Sequence, residues 1–463
     1  MTLWTAAEAA AATGGRAQGD WSVGGLAIDS RAMVPGALFV ALRAARDGHD
    51  FVRAALDAGA GAALVEHVPD GCADAPLLIV DDVQAGLEAL GRAGRARSRA
   101  KVVAVTGSVG KTSTKEMLRH CLAAQGKTHA AIKSFNNHWG VPLTLAAIPA
   151  DADFAVIEIG MNHPGEIAPL AVQARPDVAM VTNVGPVHLG AFPDGVEGIA
   201  REKAAIFSGL VEGGAAVWNA DLEASPLLAQ PGGRSFGRDA AADWRIADLH
   251  AGPDSTTCSA RTPIGPLQFR IGAPGAHFAM NAMGVLACVH ALGGDVARAA
   301  LSLSTWTPPE GRGQRHAVVL HPDRAPVDLI DDAYNANPAS VGAALDMLAA
   351  TRPPRGGRRV AILGDMKELG PTGADLHAAL ARHPGAEALD VVHTVGPLMR
   401  HLHEALPVAI RGRHAADAAA LASEVADLVR PGDAVLVKGS FSMDMARIVT
   451  ALRALVDRTE IQG

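Results

Sequence analysis

The sequence predicts an α/β protein of three domains, with a central P-loop-type parallel sheet and a Rossmann-like C-terminal domain. Three observations lead there. The chain has 463 residues, which at roughly 150 residues per domain is about three domains. From Lys101 onward, short apolar runs alternate with helical patterns, the rhythm of βα units around parallel sheets. Most of these runs end in glycine-plus-polar clusters, and ligands of open parallel sheets gather beyond the strands' carboxyl ends.

The first block, residues 1–98, closes in a basic, Gly- and Ala-rich stretch, 91–101, that reads as a helix end and linker. The central block, 99–309, carries the apolar runs 101–105, 154–159, 178–181 and 215–218. The stretch 271–294 lacks Asp, Glu, Lys and Arg, but Pro274, His277 and Asn281 interrupt it, so it reads as a loop and a buried helix rather than a membrane span. The third block, 310–463, follows Pro308-Pro309 and carries the runs 327–330, 360–363, 390–395 and 434–437.

Hydrophobic residues are 49% and charged residues 19%, enough apolar content for each block to bury a core. A net charge of −7 argues against a chain-wide footprint for nucleic acid or an anionic membrane, so neither is expected as a partner. Cys72, Cys121, Cys258 and Cys288 form no CxxC pair, which fits neither a structural zinc site nor a disulfide framework and points to a reducing cytoplasm. Residues 1–15 carry Glu8 and no basic segment, unlike a secretory signal.

The most informative motif is Thr-Gly-Ser-Val-Gly-Lys-Thr (106–112), a shortened phosphate loop with Val105 where the first glycine usually stands. A glycine-rich turn between strand and helix aims backbone N–H groups at phosphate oxygens. Gly107, Ser108, Val109, Gly110 and Ser113 would line such a turn, with Lys111 reaching the terminal phosphates and the Thr112 hydroxyl a cation. Met117, Leu118, Cys121 and Leu122 give the following helix one apolar face. Glu158 closes the second strand, where a carboxylate can complete a Mg²⁺ shell. Taken alone, His188 reads as a loop or core histidine and Lys203 as a solvated helix lysine.

As a set, these residues resemble the Mur ligases, the ATP-dependent amide-forming enzymes of peptidoglycan precursor synthesis, over essentially the full chain. The shortened loop, Glu158, Asn-Val-Gly-Pro-Val-His ending at His188, Lys203, Asn281, Arg312 and Asp332 follow the family order. Phe-Asn-Asn-His-Trp-Gly-Val-Pro-Leu-Thr (135–144), Asp-Ala-Tyr-Asn-Ala-Asn-Pro (332–338) and Gly-Asp-Met-Lys-Glu-Leu-Gly (364–370) are similar to the branch that adds D-alanyl-D-alanine to UDP-N-acetylmuramoyl-tripeptide.

The resemblance implies ATP and two Mg²⁺, with Lys111 and Thr112 on phosphate and metal, and Glu158 and His188 on the second metal. Asn281 would contact adenine, while Arg312 and Asp332 would hold ATP from the hinge and the third block. It further implies a catalytic Lys203 carrying a carbamate, and UDP-peptide contacts from Ser30, Arg31, Asn136, Asn137, Tyr334 and Asn335. After Lys-Gly-Ser (438–440) the chain has Phe441, Asp444 and Ala446 where the branch usually has basic residues and an acid. A monomer is expected, closing about a hinge near 305–315. The alternatives are a folylpolyglutamate synthetase-like ligase and a nucleotide-dependent switch.

Overall fold

The computed structural model describes residues 2–131, 133–354 and 356–455. Three large sheets and a two-stranded ribbon organise them. The first large sheet runs in the order Arg16–Gln18, Leu77–Ile79, Ala62–Val65, Ala37–Val40, Gly25–Ala27, parallel except for Arg16–Gln18. Ala37–Val40 and Ala62–Val65 are buried throughout, as strands of a sheet covered on both faces are.

The nine-stranded central sheet places the four expected strands side by side, in the order Ala215–Asn219, Val178–Val181, Lys101–Thr106, Phe154–Glu158, all parallel. Alternation along Lys101–Thr106 sends Val103 and Val105 to one apolar cluster and Val102 and Ala104 to the other. In the first cluster they meet Met117, Leu118, Cys121 and Leu122 of the helix Lys111–Ala123 and Val285 and Leu286 of the helix Ala276–Ala291. The stretch 271–294 thus contains the buried helix its composition implied. Thr128–Ala130 extends one edge of the sheet; Arg234–Gly237 and the antiparallel run Trp244–Ala251, Thr256–Thr262, Gly265–Ile271 extend the other.

The third sheet runs Gln314–Val318, Val327–Asp332, Ala434–Lys438, Arg359–Gly364, Val391–Val395, Arg411–Ala415. Its four inner strands are the ones the apolar runs predicted. The edges, of which only Gln314–Val318 is antiparallel, are polar and half-exposed.

The stretch 91–101 holds the expected helix end, Val83–Arg97, and residues 98–100 link it to the strand Lys101–Thr106. Its glycines are a packing surface. A Cβ on Gly94 would stand 2.4 Å from the Leu145 carbonyl oxygen and one on Gly91 3.0 Å from Pro142 Cα, so only glycine lets this helix lie against Gly140–Ala146. Beside the notch, Arg97 stacks over Trp4 at 3.8 Å, and Trp4 Nε1 donates to the Ala146 carbonyl at 2.9 Å. Among the described residues no helix is long and apolar enough to cross a membrane.

Candidate active site

The phosphate loop leaves the strand Lys101–Thr106 and enters the helix Lys111–Ala123 through two glycines with positive φ, Gly107 at 155° and Gly110 at 84°. Both are sterically required. A Cβ on Gly107 would lie 2.0 Å from Thr182 Oγ1, and one on Gly110 would lie 3.0 Å from Asn281 Oδ1. The loop is anchored to the neighbouring strand end: Ser108 N–H donates to the Asn183 carbonyl at 2.9 Å and Thr182 Oγ1 to the Val109 carbonyl at 2.6 Å. No side chain caps the helix that follows, so its first N–H groups and its positive end are left for an anion. Lys111 curls back, donating from Nζ to the Gly107 carbonyl at 2.7 Å. Burial pushes its ammonium below the usual lysine range; nearby Glu158 opposes this and Arg312 adds to it.

Thr112 is a junction. Its Oγ1 lies 2.9 Å from Ser134 Oγ, donates to Glu158 Oε1 at 3.3 Å and accepts from Arg312 Nη2 at 3.2 Å. Glu158 Oε1 also accepts from Asn136 Nδ2 at 2.8 Å, while Glu158 Oε2 is buried without a partner. An unpartnered carboxylate oxygen beside a hydroxyl is the donor chemistry a hard divalent cation takes. Among the described residues no cluster of three or more His, Cys, Asp or Glu is placed to hold a metal. The set therefore fits Mg²⁺, which takes one or two carboxylates and fills its shell with water and phosphate oxygens, better than a fully protein-caged ion.

The third sheet supplies the opposite wall of a cleft of about 620 Å³. Gly311, at φ 70°, brings the chain so close to Tyr334 that a Cβ would stand 2.9 Å from the tyrosine's own Cβ. Arg312 then stacks over the Tyr334 ring at 4.2 Å while reaching Thr112. Asp332, at its strand's carboxyl end, pairs with buried Lys438 at 2.7 Å, and Lys438 also donates to the Asn335 carbonyl at 2.9 Å. Ser108, Lys111, Thr112, Asn136, Glu158, Asn281, Arg312, Asp332, Tyr334 and Asn335 all line this one cleft.

Other expected residues lie elsewhere. Asn137 Oδ1 accepts from Gly140 N–H at the start of the helix Gly140–Ala146. Ser30 and Arg31 form an exposed turn in which Arg31 pairs with Asp29 at 2.9 Å. His188, in left-handed backbone, pairs through Nδ1 with Glu368 Oε2 at 2.7 Å, and is not part of the cleft lining. Lys203 is buried rather than the solvated helix lysine its local sequence suggests. Burial first and Lys111 second hold its ammonium well below the usual lysine range. Its nearby carboxylate, Glu202, is committed to the N–H groups of Gly165 and Ile167.

Sequence reasoning missed Lys438, His277, Asn183 and Asp221 as cleft residues. Lys438 sits at a strand end that the glycine-plus-polar pattern had marked, and His277 stands four residues before Asn281 in one helix. His277 stands at the exposed start of that helix, near the charges of Asp332 and Lys438. A second groove, of about 670 Å³, beside the helix Val296–Ser302, holds none of the expected residues.

Comparison with known proteins decides the family. The Mur ligase middle-domain model matches residues 105–289, the Mur ligase glutamate ligase domain 314–441 and the Mur ligase family catalytic domain 22–104. The chain belongs to the Mur ligase family. Among its relatives, the UDP-N-acetylmuramoyl-tripeptide--D-alanyl-D-alanine ligase of Escherichia coli is 36% identical over 95% of this chain and 96% of the relative. The Bacillus subtilis ligase of the same name is 32% identical over 92% and 93%. Among solved Mur ligases, MurF from Acinetobacter baumannii superposes with a TM-score of 0.83 at 30% identity, covering 97% of this chain and 98% of that one. MurF from Thermotoga maritima in complex with ADP gives 0.77 at 26%, covering 94% and 98%.

Proposed function

We propose that the chain is an ATP-dependent amide ligase that adds D-alanyl-D-alanine to UDP-N-acetylmuramoyl-tripeptide in peptidoglycan precursor synthesis. The observation that carries the reading at the level of chemistry is the convergence of Lys111, Thr112 and Glu158 with Arg312 and Asp332 in one cleft. The relatives' names supply the substrates.

In the proposed reaction the terminal carboxylate of the tripeptide attacks the γ-phosphorus of ATP, releasing ADP and giving an acyl phosphate. The neutral amine of D-alanyl-D-alanine then attacks the acyl carbon, expelling inorganic phosphate and losing a proton. The loop N–H groups and Lys111 hold the phosphates, and Arg312 closes on them from the other wall, so charge is offset where two anions are brought together. Thr112 and Glu158 would hold Mg²⁺, which when bound neutralises phosphate charge. His188 is assigned to a second metal ion, Asn281 to the adenine side, and Arg312 and Asp332 to ATP from the hinge and the third block. Ser30, Arg31, Asn136, Asn137, Tyr334 and Asn335 are assigned to the UDP-peptide.

Lys203 has the environment for the proposed carbamate. Its depressed ammonium releases the neutral amine that adds CO₂, losing a proton and turning a buried cation into an anion near Lys111. The four cysteines are free and buried, and the proposal takes the chain as a cytoplasmic monomer whose domains divide near residues 98 and 309.

The test is phosphate release from ATP with UDP-N-acetylmuramoyl-tripeptide present, with and without D-alanyl-D-alanine. A ligase releases phosphate in step with amide formation; hydrolysis indifferent to the dipeptide would instead mark a nucleotide-dependent switch.

A further inference from the structure

Lys115 lies one turn past Lys111 in the helix Lys111–Ala123, and its side chain is fully buried. A buried ammonium is costly unless every N–H finds an acceptor. Here three donors meet three acceptors: the Ala131 carbonyl at 2.5 Å, the Lys133 carbonyl at 3.2 Å and the Glu116 carboxylate at 2.9 Å. The two carbonyls belong to the start of the segment that delivers polar side chains to the cleft. Ser134 Oγ meets Thr112 Oγ1 at 2.9 Å and Asn136 Nδ2 meets Glu158 Oε1 at 2.8 Å. The Asn136 carbonyl, further along, accepts from Gly160 N–H at 2.7 Å, just past the strand that ends in Glu158.

We infer that Lys115 is a positioning residue for the divalent-cation site. It meets neither cation nor nucleotide. It fixes the segment that occupies Glu158 Oε1 and the Thr112 hydroxyl, so that Glu158 Oε2 is left as the one open carboxylate oxygen. Groups that orient a metal ligand in this way commonly change metal affinity when removed, and the Lys115 side chain bonds Ala131, Lys133 and Glu116 rather than the phosphate loop at 106–112. The inference rests on the reading of Thr112 and Glu158 as cation ligands.

The experiment is calorimetric: ADP affinity of the full chain without metal and with saturating Mg²⁺, for the unsubstituted chain, Lys115→Met and Lys115→Gln. Both variants are expected to bind metal-free ADP like the unsubstituted chain. The gain in affinity from Mg²⁺ is expected to fall about 10- to 100-fold. A merely structural loss would weaken both affinities together. Lys115→Gln keeps two N–H donors and serves should the methionine variant fail to fold. A folded variant with the full Mg²⁺ gain, or an equal loss with and without metal, would overturn the role of Lys115. An unsubstituted chain whose ADP affinity ignores Mg²⁺ would overturn the cation reading itself.

Discussion

His188 and Glu368, both in left-handed backbone, meet at 2.7 Å across the gap between the central and the third sheet. Non-glycine residues at positive φ are uncommon, and here two of them point the only direct ion pair that His188 makes among the described residues. Together with Arg312 on Thr112, the pair bridges two parts of the chain whose strands belong to separate sheets.

Glu368 is largely exposed, so the pair contributes at most about 1 kcal/mol. Glu368→Ala should leave overall stability nearly unchanged while enlarging the ligand-free radius of gyration in solution scattering. Adding ADP and UDP-N-acetylmuramoyl-tripeptide should restore the unsubstituted value. Identical ligand-free curves would count against a latch.

Lys111→Ala should lower ligation by about 10² or more, the scale of one preorganised charge contact in a dry site. Circular dichroism and unfolding should be close to those of the unsubstituted chain, because the backbone and Thr182 still anchor the loop when the Lys111–Gly107 bond is lost. Near-normal turnover would remove Lys111 from the phosphates.

Lys203→Ala should be nearly inactive and should regain part of its activity with added acetate, a small carboxylate that fits the space left by a carbamate. Retained activity without additive would exclude the carbamate role.

Burial holds His393 at about 4, below the 6.5 of an unfolded imidazole. The unfolded chain therefore binds more protons between these values. The stabilisation is fully present above pH 6.5 and is lost as pH falls toward 4, by about 1.4 kcal/mol per pH unit. Urea midpoints measured from pH 7 to 4 should fall accordingly, and His393→Asn should flatten the slope; parallel profiles would refute the assignment.

Gly94→Ala should destabilise the chain by up to about 2 kcal/mol. Alanine gains roughly 1 kcal/mol as a helix former, but its Cβ would meet the Leu145 carbonyl at 2.4 Å, and overpacking costs about 1–3 kcal/mol. Unaltered urea unfolding would show that the notch yields.

Much of this was legible in the chain because buried parallel strands are short apolar runs and the groups after them are conspicuous: the phosphate loop, Glu158 and Asp332 all stand at strand ends. The polar edge strands Gln314–Val318 and Arg411–Ala415 offered no such run. Gly91 and Gly94 marked the helix end but not the packing surface they form, because the helix that fits against them lies far along the chain. Lys438 stayed hidden because its partner Asp332 is 106 residues away, and Lys115 because two of its acceptors are main-chain carbonyls, which no side-chain pattern marks.

The glycine notch between Val83–Arg97 and Gly140–Ala146 has a thermodynamic consequence. It joins the first sheet to the central one through packed helices, and Arg97 ties in Trp4 beside it. The first sheet and the central sheet should melt as one cooperative unit, with the third sheet as another. A scanning calorimeter would then record two heat-absorption peaks from a chain built on three sheets, and ADP bound in the cleft those units share would draw the two peaks together.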